Sequence, residues 1–233
     1  MVENIVILTG AGISAESGLG TFRDAGGLWE QYPLEQVATP EGFARNPMLV
    51  HDFYNARRKN CAEAEPNPAH FALADLERDF KGNVLIVTQN VDDLHERAGG
   101  QNILHMHGEM GKAKCHICDH HWRSPPELSA QTPCPSCTKP ATRPDIVWFG
   151  EMPYHMEKIQ QCLQDADLFV SIGTSGNVYP AAGFVQQARL AGAQTLELNL
   201  EPSEGASNFH AARNGPASEL VPEWVKEIIR HGL

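Results

Sequence analysis

Residues 4–8 form a short apolar run that opens into Gly10-Ala-Gly-Ile-Ser14. The pattern predicts a buried strand, a glycine-rich turn and the start of a helix. Residues 20–47 are punctuated by Gly and Pro and predict no clear strand. Segments 47–61 and 68–80 each begin with Pro and carry apolar positions at helical spacing, so both predict helices. Strands are expected over 84–88 and, more briefly, 103–107. Residues 114–143 change character, with four clustered cysteines, five prolines and little apolar content. Beyond them the pattern predicts a strand at 145–149, a helix at 153–166 and a strand at 168–172. It ends with a helix at 180–191, a strand at 195–200 and a terminal helix at 222–230. There are no internal repeats, low-complexity tracts or heptads.

Strands alternating with helices imply an α/β fold, a doubly wound parallel sheet. Polar signatures stand at the carboxyl ends of the strand runs: Thr9-Gly-Ala-Gly, Thr88-Gln-Asn-Val-Asp92, His107-Gly-Glu109, Gly150-Glu151, Gly173-Thr-Ser175 and Asn199-Leu-Glu201. Ligands of open α/β sheets bind beyond those ends, so six loops are expected to face one site. The cysteine segment falls between two strands and reads as an insertion.

Charge narrows the function. The chain has 233 residues, with 18 Lys plus Arg against 29 Asp plus Glu, a net −11. That balance opposes a phosphate-backbone binder, which needs clustered cations, and suits a basic partner such as a lysine-bearing protein segment. No apolar run approaches the roughly 20 residues of a membrane span. The first residues lack the basic and small-residue features of a signal peptide, so a cytoplasmic setting is expected. There, clustered thiols point to metal or catalysis rather than disulfides.

Gly10-Ala11-Gly12-Ile13-Ser14-Ala15 fits the strand–turn–helix phosphate motif, with a purely structural turn as the alternative. A dinucleotide-binding dehydrogenase would carry an acidic residue at the end of a second strand about 20 residues on. Glu30 stands at that distance with no strand leading to it, which disfavours hydride transfer. Cys115-x2-Cys118-x15-Cys134-x2-Cys137 has four-thiolate zinc spacing. Such a site has no open position, so its zinc would be structural. Redox dithiols and uncoordinated thiols are the alternatives, and His116, His120 and His121 are surface residues unless one replaces a thiolate. Cys61 and Cys162 fall on helical patterns as buried apolar residues. His107 is a candidate general base, because imidazole titrates near neutrality, or else a structural histidine; His105 is the weaker candidate. Tyr54 and Arg57 share a helix face at i, i+3. They are either a packed ring and a solvated cation, or an anion clamp.

Taken together, Gly10-Ala-Gly-Ile-Ser14, Phe22-Arg23, Thr88-Gln-Asn-Val-Asp92, His107-Gly108, the two Cys-x2-Cys pairs, Arg143-Pro144, Val147-Trp-Phe-Gly-Glu151, Gly173-Thr-Ser175 and Asn199 resemble the sirtuins, NAD-dependent protein deacylases. The resemblance runs in order from residue 4 to the terminal helix. Phe53-Tyr54-Asn-Ala-Arg57-Arg58, with Ala38 upstream, is similar to the class III subgroup, particularly its bacterial members. Two departures are visible: Gly20-Thr21 stand where many sirtuins have Pro-Asp, and a basic stretch before the first strand is lacking.

The resemblance implies a Rossmann-type large domain from about 1–28, 80–110 and 144–233. It implies a small domain from a helical insert at 29–79 and a zinc ribbon at 111–143. Cysteines 115, 118, 134 and 137 would hold one structural zinc. NAD would lie against Gly10, Ala11, Gly12, Ile13, Ala15, Phe22, Arg23, Trp29, Gln89, Asn90, Val91, Asp92, Gly173, Thr174, Ser175, Asn199, Leu200, Glu201 and Ala217. Tyr54, Arg57, Ala38, Val147, Phe149 and Gly150 would take the acyl-lysine substrate, with residues 147–151 and 176–178 flanking the peptide as an added strand. The acyl oxygen would attack the nicotinamide ribose and expel nicotinamide. His107 would deprotonate a ribose hydroxyl that then attacks the resulting imidate. The products would be free lysine and O-acyl-ADP-ribose. Substrates would be succinyl-, malonyl- and acetyl-lysine proteins, taken by a monomer that binds neither nucleic acid nor membrane. A mono-ADP-ribosyltransferase using the same NAD site is the rival enzyme, and a nucleic-acid-binding zinc ribbon the rival of another class.

Overall fold

Every second residue of β1 (Asn4–Thr9) faces one side of a sheet, and both sides are apolar. Such a strand must be covered on both faces, which is the signature of a parallel sheet between two helical layers. The computed structural model describes residues 2–20 and 32–231. Phe22, Arg23 and Trp29, expected at the cofactor, lie outside the described residues.

After β1 come α1 (Ala11–Ala15), α2 (Leu34–Val37), α3 (Pro40–Arg45), α4 (Pro47–Glu63), α5 (Pro68–Asp79), β2 (Asn83–Thr88), α6 (Leu94–Arg97) and β3 (Ile103–His105). The chain continues through β4 (Gly108–Cys115), β5 (His121–Arg123), β6 (Thr142–Ile146), α7 (Met156–Gln164), β7 (Leu168–Ile172), α8 (Phe184–Leu190), β8 (Gln194–Asn199), β9 (Ala211–Asn214) and α9 (Ala217–His231). Six strands form one sheet in the order β3-β2-β1-β7-β8-β9, and every pairing in it is parallel. With the second sheet set aside, this is the doubly wound order of a Rossmann fold, whose switch point lies between β1 and β7.

Two helices cover one face. Ala69, Ala72, Leu73 and Leu76 of α5 recur at helical spacing, as do Val221, Trp224, Val225 and Ile228 of α9. They close over Ile5, Ile7, Val84, Ile86, Leu168, Val170, Leu196 and Leu198. Asn67 starts α5 sharply: its side chain accepts from Ala69 N at 3.0 Å and His70 Nδ1 closes back on the Asn67 amide at 3.3 Å, a reciprocal cap with Pro68 at the first position. The alternate residues Val6, Leu8, Leu85, Val87 and Phe169 pack under α7 and α8 on the other face. Leu73 is fully buried. Leu73→Ala is expected to remove about 2–5 kcal/mol of unfolding free energy, read as a lowered denaturation midpoint with an unchanged slope.

This packing corrects one boundary. The expected helical insert ran to residue 79, yet α5 belongs to the cover of the parallel sheet, so the insert ends before Pro68. A second correction concerns the strand expected at 145–149. It is β6 at 142–146, and it does not join the parallel sheet. It pairs antiparallel with β4, which also pairs β5, giving a second sheet in the order β5-β4-β6. Pro144 cannot donate to a ladder, which suits the edge that β6 occupies. The terminal helix begins at Ala217 rather than 222, with Pro222 inside it. Glu16 takes up Ser218 N–H at 3.0 Å and also accepts from the Ser218 hydroxyl, anchoring the turn before the proline.

Candidate active site

At the switch point the loops after β1 and β7 touch. Gly12 N donates to Gly173 O at 2.8 Å and Gly10 N to Ile172 O at 3.0 Å. A Cβ on Gly12 would meet Gly173 Cα at 2.7 Å, and Gly173 itself has φ +62. Side chains are excluded here because two backbones share the space. With Ile13 N on Gly10 O at 3.2 Å, these bonds occupy three amides of the glycine-rich turn. The motif therefore serves loop packing as much as anion binding, with Ala11 the turn amide these bonds leave over. The resulting surface is bare backbone, a cradle that fits a flat or phosphate-bearing ligand.

Below that cradle runs a buried polar network. Ser14 Oγ donates to Asp92 Oδ2 at 3.1 Å, and Asn90 Nδ2 reaches both Ser14 Oγ and Gly10 O at 3.1 Å. Leu94 N donates to Asp92 Oδ1 at 3.2 Å. Burial pushes the Asp92 carboxyl upward, against the Leu94 amide and the Ser14 hydroxyl, which favour its ionised form. Gln89 Nε2 donates to Thr174 Oγ1 at 3.0 Å, and Asn199 Nδ2 to Thr174 O at 2.8 Å, so the loops after β2, β7 and β8 are tied at Thr174. Ser14, which the sequence reading placed in the motif without a role, is the hub of this network. Its signal was its place two residues beyond Gly12, within the short helix that follows β1. Ser175 is half-buried in the loop after β7, while Leu200 and Glu201 are exposed at the rim beyond β8. Ala217 opens α9 beside α1, and Ala15 and Val91 are half-buried along the same edge.

The two histidines separate cleanly. His105 bonds through both ring nitrogens, Nδ1 to Asn90 O at 3.1 Å and Nε2 to Glu96 at 2.7 Å. Burial lowers its pKa, but the Glu96 carboxylate, helped by Glu109 and the Asn90 carbonyl, more than offsets this and the net shift is upward. It is a structural cross-link. His107 uses only Nδ1, which lies 3.1 Å from Gln89 O. A carbonyl only accepts, so Nδ1 carries the proton and Nε2 keeps its lone pair. Burial holds the His107 pKa below the ordinary value, only partly opposed by the Gln89 carbonyl. The ring is thus neutral and basic at pH 7. The backbone here turns from one sheet to the other: Val147 N donates to His107 O at 2.9 Å.

The acyl-pocket candidate is a separate cluster, joined to His107 through the Val147 amide. Ala38, Tyr54, Ile146 and Trp148 belong to one apolar cluster with Phe53 and Met110. Phe149 N donates to Ala38 O at 3.0 Å, which fastens the 147–151 segment to the turn after α2. Val147 is half-buried and Trp148 buried, and the chain then turns at Phe149 and Gly150, which are exposed. Arg57 is half-buried, and burial lowers its pKa while Tyr54, Cys61 and Asp92 act in the opposite direction. The fold thus brings Ala38, Tyr54 and the 147–150 segment together, with Arg57 electrostatically linked to Tyr54.

The four clustered cysteines form the second centre. Their sulfurs all lie within 4.8 Å of one another, and the pairs Cys115–Cys137 and Cys118–Cys134 are both 3.7 Å apart. A tetrahedron with Zn–S of about 2.3 Å requires sulfurs roughly 3.8 Å apart, so the arrangement fits. Amides of Ile117 and Ser136 each donate to a sulfur at 3.4 Å, as suits thiolate ligands. His121 is not among the ligands; its Nδ1 lies 2.8 Å from Asp145. Cys61 is buried as expected, whereas Cys162, expected buried, is only half-buried at the edge of the cluster under α7 and α8. No helix of the described residues is long and apolar enough to cross a membrane.

A Rossmann-type sheet with a histidine at the switch-point cleft and a four-cysteine module inserted between its strands defines a narrow class. The Sir2 family model matches residues 10–180, and the chain belongs to that family. Among its relatives, an NAD-dependent protein deacylase of Caulobacter vibrioides is 54% identical over 98% of this chain and 98% of its own length. One of the same description from Pasteurella multocida is 56% identical over 97% of each. The solved structure of a Sir2 homolog–NAD complex superposes with a TM-score of 0.90 at 36% identity, covering 97% of this chain and 90% of the other.

Proposed function

We propose that the protein is an NAD-dependent protein-lysine deacylase that removes succinyl, malonyl and acetyl groups. The observation that supports this best is the environment of His107: a neutral imidazole with Nδ1 committed to Gln89 O and Nε2 available to accept a proton. NAD, when bound, supplies the ribose that accepts the acyl group as nicotinamide leaves. The backbone cradle of Gly10, Gly12 and Gly173 fits its pyrophosphate region. Asn90 and Asp92, held by Ser14, would fix the ribose and amide end. His107 would take the proton of a ribose hydroxyl at Nε2. The reading extends to Arg57 and Tyr54 as the acyl clamp, Val147, Phe149 and Gly150 as peptide contacts, and one structural zinc on cysteines 115, 118, 134 and 137. We place it as a cytosolic monomer, where such thiols stay reduced. Mass spectrometry of succinyl- and acetyl-lysine peptides with NAD should show free lysine, nicotinamide and O-acyl-ADP-ribose. ADP-ribose attached to protein instead would favour the transferase, and absorbance from reduced nicotinamide would favour hydride transfer.

The clamp has its own test. A charge-assisted pair contributes about 1.5–3 kcal/mol, or about 10- to 150-fold. Arg57→Met is therefore expected to lower desuccinylation kcat/KM by that factor and deacetylation far less. Tyr54→Phe, which loses a neutral donor, is expected to shift the same ratio by about 3- to 10-fold. The change should lie mainly in KM, since a carboxylate contact is made in ground and transition states alike. A parallel fall of both activities would assign these residues to the fold.

A further inference from the structure

Trp148 Nε1 lies 3.0 Å from the Tyr54 hydroxyl, across 94 residues of sequence, and both side chains are almost wholly buried. An indole N–H only donates, so the Tyr54 oxygen is the acceptor and its own proton must point elsewhere. Among the described residues that proton has no acceptor. A buried hydroxyl with one side filled by a donor is a donor on the other side. The Arg57 guanidinium acts on the same oxygen: burial raises the Tyr54 pKa, and Arg57 and the Trp148 bond both oppose the rise.

Trp148 is itself held from three directions. Its backbone N–H donates to Glu151 Oε2 at 2.8 Å. The Arg143 guanidinium stacks 3.4 Å from its ring centroid and is paired with Glu151 at 2.7 and 2.9 Å. Phe43 packs beside it, ring centroids 5.2 Å apart. The indole therefore has little freedom to swing away from Tyr54. It also sits between Val147 and Phe149, so the segment proposed to carry the peptide backbone presents one inward residue, and that residue meets the acyl-clamp tyrosine.

We propose that Trp148 is a positioning residue for acyl selectivity: by donating to the Tyr54 oxygen it aims the Tyr54 proton into the pocket, toward a substrate carboxylate beside Arg57. This rests on the reading of Tyr54 and Arg57 as the clamp. The consequence is that selectivity depends on an N–H that touches no substrate. Acetyl-lysine, without a carboxylate, has no use for the aimed proton.

The test is a double-mutant cycle on the ratio of desuccinylation to deacetylation kcat/KM. Trp148→Phe keeps an aromatic ring under Arg143 and removes the donor. The ratio is expected to fall about 3- to 10-fold, mainly through the KM of the succinyl peptide. In a Tyr54→Phe background the same substitution should leave the ratio where Tyr54→Phe alone has put it. Benzothienylalanine at position 148, with sulfur in place of the indole N–H, tests the same point with shape retained and covers the case in which Trp148→Phe folds poorly. A ratio unmoved by either change, or moved equally in both backgrounds, overturns the role of Trp148. If Tyr54→Phe itself leaves the ratio unmoved, the clamp reading falls, and Trp148 with it. A ratio lowered by Tyr54→Phe but not at 148 removes Trp148 alone.

Discussion

His107→Ala is expected to lose about two to four orders of magnitude in kcat, the usual contribution of a positioned acid–base group. NAD affinity should survive, because the His107 ring touches a backbone carbonyl and takes no part in the Ser14–Asn90–Asp92 network. The pH profile carries a second signature. Neutral imidazole is the working form, and burial sets its pKa below the ordinary 6.5. Wild-type turnover should be complete at neutral pH and decline only as pH falls through that lowered value. In His107→Ala this acid limb should vanish from the residual activity. A variant that keeps near-normal deacylation shows that the base lies elsewhere.

The second large effect is metal loss. Elemental analysis should find about one zinc per chain, and Cys115→Ser with Cys118→Ser should abolish activity although neither residue is near the base. Structural zinc contributes folding free energy directly, on the order of 10 kcal/mol in small modules. Two connections carry the damage inward. Cys115 ends β4, and β4 begins at Gly108, immediately after His107. Asn55, on the helix of Tyr54 and Arg57, accepts from Leu128 N at 2.9 Å and donates to Leu128 O at 2.8 Å. Unfolding of the module would thus disturb both His107 and the proposed acyl pocket. Thermal denaturation with and without a chelator should show the parallel sheet outlasting the module. Active protein without metal, or a double variant of unchanged stability, contradicts the assignment.

How far the fold was legible follows from which strands are buried on both faces. β1, β2 and β7 are largely apolar runs, while β8 (Gln-Thr-Leu-Glu-Leu-Asn) alternates leucines with buried polar residues, and each stood out with its polar loop. β4 did not, and β6 was placed three residues too late, because Gly-Glu-Met-Gly-Lys-Ala-Lys-Cys and Thr-Arg-Pro-Asp-Ile bury their residues through the metal module and ion pairs rather than by apolar alternation. β9 is a polar edge strand and left no signal. The candidate site stood out as well, since Gln89, Asn90, Asp92 and His107 fall in the polar signatures at strand ends. What the sequence concealed was pairing over distance. Nothing in its pattern joins Trp148 to Tyr54, or marks Ser14 as the residue holding Asn90 and Asp92.

Gly108 has φ +84, and a Cβ built on it would lie 2.0 Å from Asp145 O. The position beside His107 is thereby closed to every other amino acid, and His107 is fixed where the chain leaves one sheet for the other. The residues proposed to read the acyl group belong to a different cluster, on α4, after α2 and along 147–150. The proposed chemistry and the proposed reading of the acyl group thus sit on separate parts of the molecule. On the proposed reading, a substitution at Ala38, Tyr54 or Trp148 would retune which modification is erased without disturbing how it is erased.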